Sequence, residues 1–212
     1  MLGALKSCEA SMIIVVDYGM GNLRSVQKAF EKIGTNAVIS RDPDTIRKAD
    51  GLVLPGVGAF PECMRNLTRL NLVDPILEFV SSGRPFLGIC LGLQLLFDES
   101  EEFGVHPGLK VIPGTVKGFD RNMGLKIPHM GWNQVYFRND GSIFRGIPDG
   151  SYFYFVHSYY VAPENDSDIA GETEYGIRFT CAVARENIIA LQFHPEKSQE
   201  NGLKILSNFA AL

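Results

Sequence analysis

The sequence has no long hydrophobic run, no tract of like charges and no C-x-x-C pair. None of its apolar segments is long enough to span a bilayer, and the first ten residues, MLGALKSCEA, have too short an apolar run for a signal peptide. We therefore expect a cytoplasmic protein with no membrane contact. Residues 1–11 are predicted to be an N-terminal extension, a candidate for disorder, and residues 12–212 a single domain; Met12 is an alternative start.

Charged and metal-binding side chains are dispersed along the chain. The 20 basic and 24 acidic residues give a net charge of −4 without a basic stripe, which argues against nucleic acid or an anionic membrane as a partner. The four cysteines and four histidines lack the spacing of a disulfide framework or a zinc site. We expect a reducing compartment, no metal, no cofactor, and a small molecule or another protein as the partner.

Apolar runs alternate with helical patterns in the first half of the chain. Strands are predicted at 12–19, 36–40, 51–56 and 84–90, and helices at 22–34, 59–70, 74–82 and 91–100. Asn22 is the predicted N-cap of the first helix and Gly34 its stop, while the segment around Pro43 is predicted to be a polar connection. From about 108 to 193 short strands follow, among them HMGWNQVYF at 129–137, before a last helix at 201–212.

This order of elements defines the predicted fold class. Strands that alternate with helices pair in parallel, because each crossover carries the chain back to the same edge of the sheet. We expect an α/β fold with a mostly parallel, doubly wound, flavodoxin-like sheet, helices on both faces, and an antiparallel extension in the second half.

One cysteine lies in an unusual setting, at the end of the fourth predicted strand in FLGICLGLQLLF. Gly88 and Gly92 flank Cys90 in the pattern G-x-C-x-G, which a nucleophile elbow needs because its sharp turn leaves no room for side chains two positions away. The start of the next helix would stabilise a thiolate, and the N–H of Leu91 would be free to bind an oxyanion. A cysteine in an apolar run is more often a small buried residue, but the paired glycines favour a nucleophile.

A histidine and an acid stand two residues apart at the end of another buried strand, in IIALQFHPEKS. Pro195 stiffens the spacing between His194 and Glu196, and residues two apart in an extended chain face the same side. His194 could then face Cys90 while Glu196 orients the ring, in a Cys-His-Glu triad. Alone, H-P-E would more often be a surface turn, and His157, also near a strand end, is a competing base without a nearby acid.

Two glycine-containing turns have different interpretations. LPGVGAF, at 54–60, follows the third predicted strand, and its glycines could turn backbone N–H groups toward a cavity to complete an oxyanion hole. The same sequence would be equally typical of an ordinary strand-to-helix turn. YGMGN, at 18–22, begins like a dinucleotide-binding G-x-G-x-x-G motif, but Arg24 occupies the third glycine position, so no nucleotide site is predicted.

Three motifs, PGVGAF, GICLGLQLLF and FHPEKS, together resemble the class I glutamine amidotransferases. The similarity runs from about Met12 to the C-terminus. Within the family, VVDYGMGNLRSV, PHMGWNQV and YFVHSYYV resemble the glutaminase subunits that serve histidine biosynthesis, although Leu93 stands where those subunits usually have methionine. Glutaminase subunits of other amidotransferases share the three triad motifs, and we do not expect the further segments in them.

The resemblance implies a glutaminase in which Cys90 attacks glutamine and His194, held by Glu196, transfers the proton. Other roles carried over are an oxyanion hole of Leu91, Val57 and Gly58 and a substrate site of Gly56, Gln94, Ser158 and Tyr159. The resemblance also implies a heterodimer with a (β/α)₈-barrel cyclase that receives the ammonia. The loop at Val57 would be set for catalysis only when that barrel holds its own ligand.

Trp132 is the only tryptophan, and PHMGWN has the character of a turn. Tryptophan is common at interface cores, but filling the domain's own core is an equal alternative. The resemblance places Trp132 and Asn22 near the barrel subunit. Two rival functions stay open: a stand-alone cysteine hydrolase such as a γ-glutamyl hydrolase, and a binding subunit without catalysis, which the intact Cys, His and Glu disfavour.

Overall fold

The computed structural model describes residues 12–138 and 141–212, so the extension predicted at 1–11 lies outside the described residues. The strands are β1 (Ile13–Val16), β2 (Ala37–Ser40), β3 (Gly51–Gly56), β4 (Phe86–Cys90), β5 (Phe97–Ser100), β6 (His106–Pro107), β7 (Ile112–Gly118), β8 (His129–Phe137), β9 (Ser151–His157), β10 (Tyr159–Pro163), β11 (Ile169–Tyr175), β12 (Ile177–Arg185) and β13 (Ile188–Leu191). The helices are α1 (Leu23–Lys32), α2 (Pro43–Lys48), α3 (Phe60–Arg69), α4 (Val73–Ser81), α5 (Leu91–Gln94) and α6 (Gln199–Ala210).

The sheet has a parallel half and an antiparallel half, as the sequence predicts. Its order is β2-β1-β3-β4-β13-β12-β10-β7-β5-β6, and the first five of these strands pair in parallel. From β12 onward the pairing is antiparallel except between β5 and β7, and β11 connects β12 to β8 and β9. The order of the parallel half is that of a flavodoxin-like sheet.

Helices cover both faces of the parallel half because its strands are apolar on both sides. Ile13 and Val15 of β1 pack in the core cluster that contains α1 and α6, whereas Ile14 and Val16 pack in the cluster of α2, α3 and α4. This burial on both faces explains why β1 is a continuous apolar run rather than an alternating one. Among the described residues, no helix is both long and apolar enough to cross a membrane.

The helix predicted over 91–100 is wrong beyond its first turn. Only Leu91–Gln94 are helical, and β5 follows them closely. The N–H of Gly108 donates to Asp98 O at 2.9 Å, so the chain after β6 returns beside this segment. A Cβ on Gly108 would lie 2.2 Å from Phe97 O, so glycine permits the close approach. Tertiary pairing therefore overrides the apolar helical pattern.

One segment predicted to be irregular forms regular structure. Around Pro43 the chain forms α2, whose start is capped by the Asp42 carboxylate, which accepts a hydrogen bond from Thr45 N at 2.8 Å. The polar composition of this segment concealed the helix. HMGWNQVYF, expected as one of the short strands of the second half, forms strand β8, and its His129 is buried.

Helix α1 lies within the predicted range 22–34, but no side chain caps its first turn. Gly34 follows the helix with a φ of +79°, a conformation that glycine adopts readily. Asn22 stands at the N-cap position, yet its side chain makes no capping hydrogen bond. Its backbone oxygen accepts from Val26 N at 3.3 Å, so the helix begins on main-chain bonds.

Candidate active site

A cavity of about 270 Å³ opens beside the carboxyl ends of β3 and β4. Its lining brings together side chains that are distant in the sequence, from the first and second halves of the chain. The lining residues are Val57, Gly58, Cys90, Leu91, Gln94, Glu102, Pro128, Val156, His157, Ser158 and Tyr159. Cavities of this size are at the small end of ligand sites, which suits a small molecule.

Cys90 ends β4 in a strained backbone conformation. Its φ is 56° and its ψ is −107°, and α5 begins at the next residue, so the side chain lies on a sharp strand-to-helix turn. A Cβ at Gly92 would lie 1.8 Å from Leu54 O, and a Cβ at Gly88 would lie 2.9 Å from the Cβ of Ala190. A side chain at either glycine of the predicted elbow would therefore collide with neighbouring atoms.

The helix after the cysteine has a single turn, so the expected helix dipole is small. Leu95 N donates to Leu91 O at 2.9 Å, which makes Leu91 the first residue of the turn. The N–H groups at the start of a helix have no acceptor within the helix. The turn therefore presents individual N–H groups close to Cys90 and lacks the dipole of a long helix.

Two other cysteines have surroundings that disfavour the thiolate. Cys63 lies on α3 and Cys181 on β12, and both are buried free thiols. Burial raises the pKa of Cys63 to about 11 and holds that of Cys181 well above its ordinary value. Both lie outside the described lining of the cavity, so they behave as small core residues.

His194 follows β13 and is bonded to Glu196. The backbone N–H of His194 donates to Tyr154 O at 2.9 Å, and its Nδ1 lies 2.8 Å from Glu196 Oε1. Both side chains are buried. The expected juxtaposition is present, but the reason given for it is wrong: Pro195–Lys197 form a 3₁₀ turn, so Glu196 reaches the ring through a turn rather than by strand alternation.

The electrostatics of His194 connect it to Cys90. Burial lowers the pKa of His194, but negative charge on Cys90 and interactions with Cys90 and Glu196 outweigh this effect and raise it to about 10. Because Nδ1 faces Glu196 and Nε2 is buried without a hydrogen-bond partner, Nε2 is the ring nitrogen that is free to act on Cys90. The arrangement favours the imidazolium form of His194 at neutral pH.

The loop after β3 lies next to the sulfur. Gly56 and Cys90 are register partners of the parallel strands β3 and β4. A Cβ on Gly56 would lie 2.6 Å from the hydroxyl of Tyr18, so the strand end accepts only glycine without rearrangement. Val57 and Gly58 line the cavity, and Gly58 has a φ of +99°, which permits its peptide N–H to turn inward.

Three of the four predicted substrate residues, Gln94, Ser158 and Tyr159, line the cavity, and Gly56 is not among its lining residues. Gln94, at the end of α5, donates from Nε2 to Tyr159 O at 3.0 Å. Ser158 and Tyr159 lie where β9 passes into β10, and both line the cavity.

His157 lines the cavity, but its ring is occupied by structural hydrogen bonds. Its Nδ1 donates to Tyr159 O at 2.8 Å, and its Nε2 therefore accepts from Nδ1 of His129, which is 2.9 Å away. Burial lowers the pKa of His157 to about 3 and that of His129 to about 4. Both rings are therefore neutral, and the geometry disfavours His157 as the competing base.

Sequence reasoning missed Glu102. Its carboxylate accepts from Phe60 N, at the start of α3, at 2.7 Å, and it is the one acid among the described residues that line the cavity. Burial raises the pKa of this half-buried carboxyl above its ordinary value, although the bond from Phe60 opposes the shift. Glu102 is one of four acids in DESEE, and nothing in that run distinguishes the carboxylate that faces the cavity.

The two residues predicted to contact a partner are on the surface, away from the cavity lining. Trp132 of β8 is 46% exposed and Met130, two residues before it, is 62% exposed. The alternative that Trp132 fills the domain's own core is therefore wrong. Asn22 is also exposed, at the start of α1. Within residues 12–138 and 141–212, no group of three or more His, Cys, Asp or Glu side chains could hold a metal ion.

Comparison with protein families agrees with this geometry. The family model "Glutamine amidotransferase class-I" matches residues 14–211, so the chain belongs to the class I glutamine amidotransferases. Its curated relatives are more specific. Imidazole glycerol phosphate synthase subunit HisH of Syntrophotalea carbinolica is 59% identical over 203 residues, 93% of this chain and 98% of that protein. HisH of Geobacter metallireducens is 54% identical (93% and 97%), and HisH of Aquifex aeolicus is 52% identical (92% and 94%).

Solved structures with low sequence identity confirm the predicted fold class. PurLQS from Thermotoga maritima superposes with a TM-score of 0.74 at 17% identity, over 94% of this chain and 97% of that one. A glutamine amidotransferase from Thermotoga maritima gives a TM-score of 0.63 at 19% identity, over 88% of this chain and 76% of that one. At these identities the similarity is one of fold.

Proposed function

We propose that the chain is the glutaminase subunit of an imidazole glycerol phosphate synthase, which hydrolyses glutamine and delivers ammonia to a cyclase subunit in histidine biosynthesis. One observation carries the proposal: Cys90 lies on a strained elbow, beside the buried His194–Glu196 pair, in a small cavity. The HisH relatives, 52% to 59% identical over nearly their whole length, support the assignment to this synthase.

The first half of the reaction forms a thioester. The Cys90 thiolate attacks the side-chain amide carbon of glutamine, and the negative charge that develops on the amide oxygen is bound by N–H groups of Leu91, Val57 and Gly58. One such donor is worth roughly a factor of 10² to 10³ in rate. The His194 imidazolium gives its proton to the departing nitrogen, the C–N bond breaks, and ammonia leaves a glutamyl thioester on the sulfur.

Water completes the cycle. His194, now neutral, removes a proton from a water molecule that attacks the thioester carbon, and the C–S bond breaks to release glutamate and restore the thiolate–imidazolium pair. The Glu196 carboxylate, 2.8 Å from Nδ1, holds the ring in one orientation through both steps and stabilises its charged form. In both steps Cys90 supplies or recovers the electron pair, and His194 gives or takes the proton.

The cavity offers complementary groups to the two ends of the substrate. Glu102 provides a carboxylate for the α-ammonium group of glutamine, and burial strengthens such a pairing because less water competes for the charge. Gln94, Ser158 and Tyr159 supply hydrogen-bonding groups for the rest of the substrate, and Gly56, the register partner of Cys90, would contact it through its backbone. The carboxamide would then lie at the sulfur.

A partner surface is proposed on β8 and β9. Met130 and Trp132 of β8 and Tyr152 of β9 are exposed, and large apolar side chains of this kind are enriched in interface cores. The chain would dock this face, together with the turn at Asn22, on a (β/α)₈-barrel cyclase. The barrel would receive the ammonia, and the Val57 loop would reach its catalytic form when the barrel binds its own ligand.

The pH dependence of glutamine hydrolysis should follow His194. Its imidazolium must be present to protonate ammonia, so kcat/KM should remain high into the alkaline range and fall as pH approaches about 10. Glu196→Gln removes a negative charge that raises this pKa, so the alkaline limb should move to lower pH by about one unit or more. Glu31→Gln, on the exposed side of α1, is the matched control. An alkaline limb that stays in place in Glu196→Gln contradicts this role.

The function is tested by measuring glutamate release from glutamine, first by the chain alone and then with the barrel cyclase and its ribulosyl ligand. We expect a low rate alone and a rise of about 10²-fold or more in the mixture, because binding of the partner completes the oxyanion hole. Cys90→Ala is the blank. A high rate for the chain alone that the cyclase leaves unchanged would instead favour a stand-alone γ-glutamyl hydrolase.

A further inference from the structure

A buried glutamine lies directly beside the proposed nucleophile. Strand β13 pairs in parallel with β4, with Leu191 opposite Ile89. Gln192, the residue after Leu191, therefore lies level with Cys90, the residue after Ile89. Gln192 is 0% exposed. Because an amide buried without hydrogen bonds is costly, its two polar atoms need partners inside the protein.

The orientation of the Gln192 amide is determined by a backbone carbonyl. Tyr159 O can only accept, so the Gln94 atom that contacts it at 3.0 Å is the donor Nε2. The same Nε2 lies 3.1 Å from Gln192, which must therefore present its acceptor Oε1 there. This leaves the Nε2 group of Gln192 facing Cys90 Sγ at 3.7 Å. An N–H donor is thus directed at the sulfur.

We propose that Gln192 stabilises the thiolate of Cys90 through this N–H group, and that Gln94 and Tyr159 O keep the donor directed at the sulfur. A hydrogen bond to a charged acceptor is stronger than one to a neutral acceptor, so the bond favours the thiolate over the thiol. Burial adds to the effect because no water competes for the sulfur on this side. The inference rests on the proposed role of Cys90 as the nucleophile.

Other titratable groups near the sulfur act differently. His194 supplies a positive charge, as described above, and Glu102 and the neutral His157 line the same cavity. Tyr18 and Cys63 interact electrostatically with Cys90, but burial raises the pKa of each well above neutral, so neither contributes charge near pH 7. Changing Gln192 to a neutral residue therefore alters a hydrogen bond without removing a charge.

The experiment measures alkylation of Cys90 by iodoacetamide in the full chain from pH 5 to 10, with the modified residue identified by peptide mass spectrometry. The thiolate is the reactive form, so the midpoint of the profile reports thiolate formation. Gln192→Met has a similar volume and no N–H donor, and its midpoint should lie about one pH unit higher than in the parent chain. Gln27→Met, which removes an amide that donates to Ala37 O far from the cavity, should leave the midpoint unchanged.

A second variant covers the case in which Gln192→Met does not fold. Gln192→Glu keeps an oxygen acceptor for Gln94 but places a carboxylate oxygen at the sulfur, so its midpoint should rise further. A merely structural role would change the rate at every pH without moving the midpoint. An unchanged midpoint in a folded variant overturns the inference while leaving Cys90 as the nucleophile. A parent chain whose Cys90 reacts like a free thiol in solution overturns both.

Discussion

Replacing Cys90 by alanine should reduce glutamate release from glutamine by about 10³-fold or more. The thioester cannot form without the sulfur, and the remaining groups can only bind the substrate and direct water at it. The neighbouring cysteines cannot substitute, because Cys63 and Cys181 are buried away from the cavity. The rate is measured with the chain in its active complex, because the chain alone is expected to be slow.

The matched control for this prediction is Cys181→Ala. It removes a thiol of the same size from β12, in the core, and should cost a modest amount of stability while the rate of the folded enzyme stays close to that of the parent. If Cys90→Ala kept a rate within about tenfold of the parent, the covalent mechanism would be wrong and a directly activated water would replace it.

Gly92→Ala should destabilise the fold by about 3 kcal/mol or more. The new Cβ would lie 1.8 Å from Leu54 O, which is a backbone atom of the central strand β3, so neither side can give way without moving a strand. The same displacement would separate the loop at Gly56 from Cys90. The free energy of unfolding, measured from urea titrations, should therefore fall together with activity.

Gly83→Ala separates steric conflict from backbone strain. Gly83 has a φ of +77°, but a Cβ there would meet no atom within 4 Å. The substitution should cost about 1 kcal/mol, from the left-handed conformation alone. Equal losses in Gly83→Ala and Gly92→Ala would show that the close approach at the elbow contributes nothing, which would contradict the interpretation of the G-x-C-x-G pattern.

The parallel half of the fold could be predicted because local and tertiary preferences agree there. In a run such as IIVV every residue is apolar and buried, so the run fits a strand that is covered on both faces. Its β-branched residues also favour a strand locally. The segment after Gln94 could not be predicted, because its apolar spacing is helical and only the return of the chain at Gly108 selects a strand. That contact joins residues whose pairing no local pattern shows.

The site was predictable to the extent that its chemistry lies in short motifs. The juxtaposition of His194 and Glu196 was expected from H-P-E, although a 3₁₀ turn produces it. Glu102 and Gln192 could not be found, because their importance depends on which strand lies opposite and not on their neighbours in sequence.

The pairing of β4 with β13 has a consequence for synthesis of the chain. Cys90 and Gln192 are 102 positions apart, and His194 lies beyond both, so a ribosome-bound chain that has emerged only as far as β4 carries the cysteine without its base. In that intermediate β4 also lacks one neighbour and is an open sheet edge. Under the proposed mechanism, closure of the sheet by a late strand would protect the edge and bring His194 and Gln192 to Cys90 in the same event, so the chain would have no activated nucleophile before it is folded.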